Sequence, residues 1–506
     1  MYSSLNTHIN YNNFPELILK LGELLYKANL TIDSRQIDSN SIFFAYKGTH
    51  LDGRDFIPLV KDVALCIIEE GALNLSIPNH YTIEHVQELV GIISSIKYNR
   101  PSNQMDVVGV TGTNGKTSIA QWLAQINTLH HIQSGLIGTL GGGIYPNTKD
   151  YSSTTPNPIT LQNILSEFVI HKTRAVFMEV SSHSLVQGRV NGVKFKTAVF
   201  TNLTQDHLDY HGTMENYYLA KKSLFYWKNL QYAVINIDDE YGSRLHDELI
   251  KDNTGVKIIT YGTLDANQYD LKATDIDINI HGVHFILHYK NIKTPIYAQI
   301  IGKFNVYNLL ATIGVLITQG YDLKTIAEYV TQIKPVTGRM DTIKKDNCPL
   351  VVIDYAHTPD ALNNTLSTLK EISHTGKIYC LFGCGGDRDH TKRRVMGEIA
   401  VVHSDYVIIT SDNPRTEEPQ NIINDILTDI SSKKYNNYAV EVDRKTAIKR
   451  AINLSTAQDI ILIAGKGHET YQEIFGIKHH FSDFEIAEEC LEKYSKYQAT
   501  SPNFDQ

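Results

Sequence analysis

The sequence lacks the features that mark several classes of protein. No apolar run reaches the roughly 18–20 residues that a membrane-spanning helix needs. The first residues, MYSSLNTHINYNNFPE, lack the basic and then apolar pattern of a signal peptide. Only five cysteines occur, and the spaced pair Cys380 and Cys384 has no second pair nearby to complete a zinc site. We therefore expect a cytoplasmic protein with reduced thiols and no membrane segment.

Excess positive charge, internal repeats and low-complexity linkers are also absent. The chain has 47 lysines and arginines against 55 aspartates and glutamates, a net charge of −8, which argues against a general nucleic-acid binder. With 42% hydrophobic and 20% charged residues, the composition is that of a globular protein. Because 506 residues exceed what one ordinary core accommodates, we expect two to four domains.

Residues 107–118, VVGVTGTNGKTS, carry the strongest functional signal. An apolar strand leads into a glycine-rich turn, and an amphipathic helix follows. Such a turn surrounds phosphate oxygens with backbone N–H groups, and the helix N-terminus adds positive partial charge. A valine, Val110, stands where the general phosphate-loop motif has its first glycine. The predicted ATP-binding residues of this loop are Gly112, Thr113, Asn114, Gly115, Lys116, Thr117 and Ser118.

The longer string GVTGTNGKT resembles the ATP loop of the Mur ligases and of their relative folylpolyglutamate synthase. Together with the segments described below, the resemblance extends from about residue 30 to 490. It implies an α/β chain with a small N-terminal UDP-binding domain (1–99), a central P-loop ATPase-like domain with a parallel sheet (100–335) and a C-terminal Rossmann-like doubly wound domain (336–506). Alternating strands and helices in the second and third regions indicate the same architecture.

Two polar segments offer metal ligands. MEVSSHSL (178–185) places Glu179 near the C-terminal end of a strand, where ligands of open α/β sheets collect. The segment TNLTQDHLDYHG (201–212) supplies mixed nitrogen and oxygen donors, which suit Mg²⁺ or Mn²⁺. From the residues alone, a purely structural loop is an equally good interpretation of the second segment. Its candidate side chains are Asp206, His207, Asp209 and His211.

The resemblance favours the metal interpretation. In the Mur ligases this block is followed by a lysine that CO₂ carbamylates, and Lys221 takes that place in YYLAKKSLF, with Lys222 as the neighbouring competitor. The carbamate would be an oxygen ligand for a second Mg²⁺. The resemblance therefore implies two Mg²⁺ ions, whose predicted ligands are Thr117, Glu179, His207 and carbamylated Lys221.

Further segments match the family around the nucleotide. In GKFNVYN (302–308), Asn305, with Asn308 beside it, is predicted to lie by the adenine, although asparagine is also a good helix N-cap. VTGRMD (336–341) resembles the family's Gly-Arg-Met-Glu element and places Arg339 near the phosphates, with Asp341 replacing the glutamate. Asp354 and His357, in VVIDYAHTPDAL, are predicted to meet the ribose or adenine.

The segment SDNPRTEEP (411–419) concerns the amino-acid substrate. Taken alone, it is an ordinary turn with an exposed arginine. In the Mur ligases it marks enzymes that add meso-diaminopimelate, whose distal carboxylate an arginine fork can bind with two N–H bonds. In FGCGGDRDHTKRR (382–394), Lys392, Arg393 and Arg394 are predicted to be mostly solvated and to attract anions. The predicted diaminopimelate-binding residues are Arg388, Asp412, Asn413, Pro414, Arg415, Gly465 and Glu469.

The N-terminal segments TIDSRQI (31–37) and YKGTHLDGRDFI (46–57) resemble the UDP-binding segments of the diaminopimelate-adding ligases. Other positions match those that hold the sugar-peptide. The predicted UDP-sugar-peptide-binding residues are Ile32, Ser34, Thr49, His50, Leu51, Ser153, Thr154, Thr155, Ser181, Gln187 and Arg189.

The resemblance implies an ATP-dependent amide ligase that joins meso-diaminopimelate to UDP-N-acetylmuramoyl-L-alanyl-D-glutamate through an acyl phosphate, acting as a monomer on small molecules without nucleic acid or membrane. Alternatives are an L-lysine-adding ligase, a folylpolyglutamate synthase, which would lack the N-terminal segments and Asp412–Arg415, and a non-catalytic ATP-binding protein, which should have lost metal or phosphate residues. The predicted catalytic residues are Lys116, Glu179, His207, Lys221 and Arg339.

Overall fold

The computed structural model describes residues 13–49, 51–60, 62–71, 79–151, 153–265, 268–373, 375–433 and 435–500. Three large sheets follow one another along the chain, each built from one contiguous stretch of sequence. Helices connect their parallel strands, so the predicted α/β class is confirmed. No helix in these ranges is both long enough and apolar enough to cross a membrane.

The first sheet has four strands, all parallel, in sequence order. Its second strand is buried along its whole length, as expected for a parallel strand that is covered on both faces. The strands are β1 Asn29–Thr31, β2 Ser41–Ala45, β3 Leu65–Glu69 and β4 His80–Ile83. The helices of this region are α1 Phe14–Leu21, α2 Leu24–Lys27 and α3 Val86–Lys97.

The second sheet has eleven strands. They are β5 Asp106–Thr111, β6 Ser134–Gly138, β7 Gly141–Ile144, β8 Asn147–Lys149, β9 Ala175–Glu179, β10 Thr197–Phe200, β11 Tyr232–Asn236, β12 Lys257–Gly262, β13 Leu271–Asn279, β14 Gly282–Tyr289 and β15 Ile292–Ala298. Its helices are α4 Lys116–Leu129, α5 Pro158–Ile170, α6 Ser182–Val186, α7 Leu208–His211, α8 Met214–Lys222, α9 Glu240–Lys251, α10 Lys303–Thr318 and α11 Leu323–Val330.

The centre of the second sheet is parallel, as predicted, with the order β12-β11-β10-β5-β9-β6. Beyond this centre, β13 pairs in parallel with β12, antiparallel strands β14 and β15 extend that edge, and antiparallel strands β7 and β8 extend the other; these additions were not predicted. Most of β13 alternates between more and less exposed residues, because only one face of this part of the sheet is packed against the rest of the protein. Apolar side chains fill both faces of the parallel centre.

The third sheet has the order β16-β17-β21-β18-β19-β20, in which only β16 is antiparallel to its neighbour. Its strands are β16 Asp341–Ile343, β17 Leu350–Asp354, β18 Ile378–Phe382, β19 Tyr406–Ile409, β20 Tyr438–Val440 and β21 Ile460–Ala464, and a separate hairpin follows, β22 Tyr471–Ile474 and β23 Ile477–His480. The helices are α12 Pro359–Ile372, α13 Thr391–His403, α14 Pro419–Ser432, α15 Arg444–Leu454 and α16 Asp483–Thr500.

Candidate active site

The glycine-rich turn lies between β5 and α4, as the sequence predicts. Gly112 and Gly115 have φ values of +144° and +89°, a region that side chains disfavour. Asn202 stabilises the turn, since its Oδ1 accepts the Asn114 N–H at 2.9 Å. Lys116 folds back over the turn and donates to the carbonyl oxygens of Gly112 and Thr113 at 2.9 and 2.7 Å. The loop is thus preformed, with its lysine resting on its own backbone.

Lys221 is buried, with 1% of its surface exposed, and it points at the same turn. Its Nζ donates to the Gly112 carbonyl at 2.8 Å and lies 4.5 Å from the centre of the Tyr217 ring. Burial, together with the neighbouring Lys116, holds the pKa of Lys221 well below its usual value. A neutral amine is the form that attacks CO₂, so this position fits carbamylation. Lys222 instead is partly buried and pairs with Glu248 at 2.8 Å.

Glu179 is the last residue of β9 and is buried. Its carboxylate accepts hydrogen bonds from the Thr117 hydroxyl at 3.0 Å, the Thr139 N–H at 2.7 Å and the Thr139 hydroxyl at 3.2 Å. Sequence reasoning missed Thr139, although a polar residue directly after β6 lies at the same carboxyl edge of the sheet. Thr139 also contacts the Thr154 hydroxyl at 3.2 Å, which connects Glu179 to a predicted substrate residue.

The donors at this edge fit Mg²⁺ in part. The Thr117 hydroxyl and the Glu179 carboxylate are oxygen donors in direct contact. His207 has a pKa lowered to about 3 by burial, so its ring is neutral, as a metal ligand requires. Within the described ranges, no group of three or more His, Cys, Asp or Glu side chains is arranged to hold a metal ion. A complete ligand set therefore depends on the Thr117 hydroxyl and on carbamylation of Lys221.

Asp206 is buried where the second-sheet and third-sheet regions contact each other. Its carboxylate lies 3.3 Å from His207 Nε2, 3.9 Å from His357 Nε2 and 3.8 Å from Lys392 Nζ. Although burial acts to raise it, the pKa of Asp206 is lowered by these three neighbours. The carboxylate thus brings a residue of the metal-ligand segment together with two residues of the third-sheet region, while Asp209 of the same segment is exposed.

Arg339 crosses from the third-sheet region to the phosphate loop. Its guanidinium lies 4.3 Å from the centre of the Tyr355 ring, and Nη2 donates to the Thr117 hydroxyl at 3.1 Å. The turn that carries it is fixed by Asp354, whose carboxylate accepts the N–H groups of Met340 at 2.7 Å and Ala356 at 2.8 Å. Burial raises the pKa of Asp354. Asp354 therefore positions the arginine turn.

The predicted adenine residues occupy two layers. Asn308 lies against Gly115, where a side chain would collide with its Oδ1. Asn305 is buried behind it, donates to the Ile301 carbonyl at 2.7 Å and accepts from Asn308 Nδ2 at 2.9 Å. The helix N-cap is Gly302, so the capping interpretation of Asn305 is wrong. Asn305 supports Asn308, and Asn308 supports the phosphate loop.

These groups surround one cleft of about 560 Å³ between the second and third sheets. A contact between Asn114 Nδ2 and Asp360 Oδ2, 2.9 Å, crosses it, and Asp360 is a residue that sequence reasoning missed. The predicted residues that line the cleft are Thr113, Asn114, Gly115, Lys116, Thr117, Ser118, Thr154, Glu179, Ser181, His207, Lys221, Asn308, Arg339, Asp354 and His357.

A second cavity, of about 480 Å³, lies between the first and second sheets. Gln187 joins them by donating to the Thr49 hydroxyl at 3.2 Å, and Arg189 Nη1 donates to the Thr155 carbonyl at 3.0 Å. Leu51 is 69% exposed, and His50 lies outside the described residues. Five predicted UDP-sugar-peptide residues line this cavity, namely Ile32, Thr49, Ser153, Gln187 and Arg189.

The predicted amino-acid residues gather where β18, β19 and β21 end. The buried Lys466 donates to Asn413 Oδ1 at 3.0 Å and to Glu469 Oε2 at 2.8 Å, and Asn413 Nδ2 donates to the same Glu469 oxygen at 2.8 Å. A side chain at Gly465 would lie 2.5 Å from Asp412 Oδ2. These contacts join the ends of β19 and β21 in one polar network.

Arg415 has a φ of +52°, which is uncommon for a residue with a side chain. Its Nη1 donates to the Gly386 carbonyl at 2.6 Å, and its Nε lies 3.6 Å from Glu473 Oε2. The exposed Arg388 comes from the adjacent glycine-rich turn. The two arginines therefore share one loop cluster.

The prediction that Lys392 and Arg393 are mostly solvated is wrong, whereas Arg394 is exposed. Lys392 is 6% exposed and faces Asp206, and Arg393 is fully buried. A sequence signal for Arg393 existed, because residues 393, 396, 397 and 400 form one helix face and all four are buried. Three consecutive basic residues concealed that periodicity.

Comparison with known proteins agrees with this geometry. Residues 110–316 match the Mur ligase middle domain and residues 338–467 match the Mur ligase glutamate ligase domain. The UDP-N-acetylmuramoyl-L-alanyl-D-glutamate–2,6-diaminopimelate ligases of Chromobacterium violaceum and Neisseria meningitidis are 43% and 44% identical, covering 95% and 93% of this chain and 97% and 95% of the relatives. A solved structure with the same name is 34% identical, with a TM-score of 0.67, and the match covers 93% of this chain and 95% of that one. Because two Mur ligase domain models match and relatives above 40% identity cover more than nine-tenths of the sequence, this chain belongs to the Mur ligase family.

Proposed function

We propose that the protein is the ATP-dependent ligase that joins meso-diaminopimelate to the D-glutamate γ-carboxylate of UDP-N-acetylmuramoyl-L-alanyl-D-glutamate. Relatives of 43–44% identity over more than nine-tenths of the chain carry the name of that activity. In the first step, the γ-carboxylate attacks the γ-phosphorus of ATP, forming an acyl phosphate and releasing ADP. In the second, an amine of diaminopimelate attacks the acyl carbon and phosphate leaves.

The two cavities suit the two ends of the UDP-linked substrate. The cavity beside Arg189 would hold the UDP-sugar, and its dipeptide would extend past Thr155 and Thr154 toward Glu179. Thr155 accepts the Ser181 N–H and donates to the Glu179 carbonyl, so these groups form one continuous polar path into the cleft. The D-glutamate carboxylate would then arrive at the edge where ATP ends.

The energetic difficulty of the first step is the approach of two anions. Lys116 and Arg339 come from opposite sides of the cleft, and the Thr117 hydroxyl already contacts the arginine. Preorganised charges in a buried site stabilise charge that develops in the transition state. Thr117, Glu179, His207 and carbamylated Lys221 would hold Mg²⁺, which when bound neutralises phosphate oxygens as a Lewis acid. The chain's own task is to place these groups before the substrates react.

Arg415 is the residue that supports diaminopimelate as the amino-acid substrate. It lies beside Arg388 at the end of the third sheet, with its guanidinium held in place by the Gly386 carbonyl. Diaminopimelate has a distal carboxylate for such a fork, whereas L-lysine has none and would leave the arginine without its partner. Sites that are built to pair with a substrate group reject analogues lacking that group by large factors.

The first experiment is phosphate release from ATP by the purified protein with UDP-N-acetylmuramoyl-L-alanyl-D-glutamate. We expect release with meso-diaminopimelate and little with L-lysine. Release with lysine alone would keep the ligase and overturn the acceptor assignment. Absence of release with both would favour the folylpolyglutamate or the non-catalytic interpretation.

Replacing Arg415 by alanine is expected to raise the KM for meso-diaminopimelate by at least ~10-fold, because a charge-assisted bidentate contact is lost. The KM for ATP should stay within about twofold, since Arg415 is not among the residues that line the cleft around the phosphate turn. Arg394→Ala, which removes an exposed arginine from the neighbouring helix α13, is the matched control and should behave as the parent protein. An unchanged KM for diaminopimelate in Arg415→Ala would remove this residue from the site.

A further inference from the structure

Arg393 is a charged residue of the third-sheet region that is buried, although the sequence predicts it to be solvated. It lies in the first turn of α13, and 1% of its side chain is exposed. Its guanidinium donates to both carboxylate oxygens of Glu417, at 2.7 and 2.9 Å, to Asp425 Oδ2 at 2.9 Å and to the Gly385 carbonyl at 3.2 Å. The hydrogen bonds from Arg393 lower the pKa of Glu417 to about 2. The pair is therefore fully ionised at neutral pH.

The partners of Arg393 come from three places in the chain. Gly385 follows β18, Glu417 lies after β19 within the segment 411–419, and Asp425 lies in α14. Glu417 also accepts the Asp387 N–H at 2.6 Å, and Asp387 accepts the Thr416 hydroxyl at 2.7 Å. One buried arginine thus connects the glycine-rich turn to the segment after Arg415.

The two loops, the turn at Gly385 and the segment 411–419, are also in direct backbone contact. The Gly386 N–H donates to the Asn413 carbonyl at 2.9 Å, and a side chain at Gly386 would collide with the Pro414 carbonyl. Gly386 is also the residue whose carbonyl holds the Arg415 guanidinium. Because Arg415 has a left-handed backbone, its conformation depends on this surrounding structure.

We propose that Arg393 is a positioning residue for the amino-acid substrate: by clamping Glu417 against the turn at Gly385, it sets the place and direction of the Arg415 guanidinium. The inference rests on the proposed function, because it assumes that Arg415 receives the distal carboxylate. Arg393 itself is enclosed, with 1% of its side chain exposed, so it would act through Arg415 and not by direct contact with the substrate. Its effect is to hold the Arg415 guanidinium in place before the amino acid binds. Less side-chain entropy is then lost on binding.

Arg393→Lys is the direct test. Lysine keeps the positive charge, so Glu417 retains a cationic neighbour, but its ammonium has three donors for the four hydrogen bonds that the guanidinium makes. We expect the KM for meso-diaminopimelate to rise by at least ~10-fold, since small displacements of a positioning group cost large factors. The KM for ATP should stay within about twofold. Glu417→Gln, at a less buried position, should shift the same constant in the same direction if the arginine variant folds poorly.

Ile430→Val separates positioning from general stability. Ile430 is fully buried in α14 beside Gly397 of α13, so the variant weakens the same helix pair without contact to either loop. It should lower the melting temperature and leave the KM for diaminopimelate unchanged. The inference is overturned if Arg393→Lys and Glu417→Gln leave that KM unchanged, or if both KM values rise together as stability falls. The proposed function fails separately, in the parent protein, if diaminopimelate releases no phosphate.

Discussion

Lys221→Ala is expected to abolish ligation. The buried amine is the predicted site of the carbamate, and it lies 2.8 Å from the backbone of the phosphate loop. Without the amine no carbamate forms, so oxygen ligands for Mg²⁺ are lost at the point where phosphate charge must be neutralised. Added bicarbonate should not restore activity, because the nucleophile that captures CO₂ is gone. The measurement is phosphate release under saturating substrates, with and without bicarbonate.

Lys222→Ala is the matched control, since it removes the next lysine of the same helix. That side chain pairs with the partly buried Glu248 and not with the phosphate loop, and Glu248 keeps Arg244 as a second partner in the variant. Its activity should remain within about twofold of the parent protein. Folding of Lys221→Ala is checked by its melting temperature, which should not fall much because the variant removes a buried amine. Retained ligation by Lys221→Ala, or its loss in Lys222→Ala, would contradict the assignment.

Arg339→Ala is expected to lower kcat by at least ~100-fold, because a preorganised cation at the phosphates is removed. The guanidinium joins the third-sheet region to Thr117 and is supported by the Tyr355 ring. The interaction matters most when charge develops, so the KM values for the amino acid and the UDP-substrate should change less than kcat. Steady-state kinetics with each substrate varied in turn measure this difference.

Arg339→Lys provides the comparison within the same position. Lysine keeps one positive charge but lacks the planar fork that rests on Tyr355, so it should recover part of the rate. Asp354→Asn should act in the same direction as Arg339→Ala but less strongly, because Asp354 holds the turn through the Met340 N–H. A normal kcat in Arg339→Ala would exclude this arginine from phosphate stabilisation.

Much of the fold and one half of the cleft could be predicted from local sequence. The turn from β5 into α4 follows from glycines, a lysine and an apolar helix face within about a dozen residues. Glu179 at the end of β9 and the helix that starts at Met214 follow from equally short patterns. The roles of Lys221 and Arg415 came from family resemblance alone, because a lysine pair and a turn arginine have no local signature.

The burial of Lys392 and Arg393 escaped prediction because it depends on partners that are remote in sequence. Arg393 is neutralised by Glu417 and Asp425, and those acids follow a different strand. Three consecutive basic residues predict a solvated face, but the fold buries Lys392 beside Asp206 and Arg393 beside Glu417 and Asp425.

The sequence by itself determined the α/β class, the phosphate loop and the strand end that carries Glu179, because short-range periodicity and turn chemistry specify them. Tertiary structure alone decided which groups meet. Arg339 reaches Thr117 across 222 positions, and Lys392 meets Asp206 although they lie on different sheet regions. Such contacts form when the carboxyl ends of two separate sheets face each other, and residue spacing along the chain carries no record of that approach.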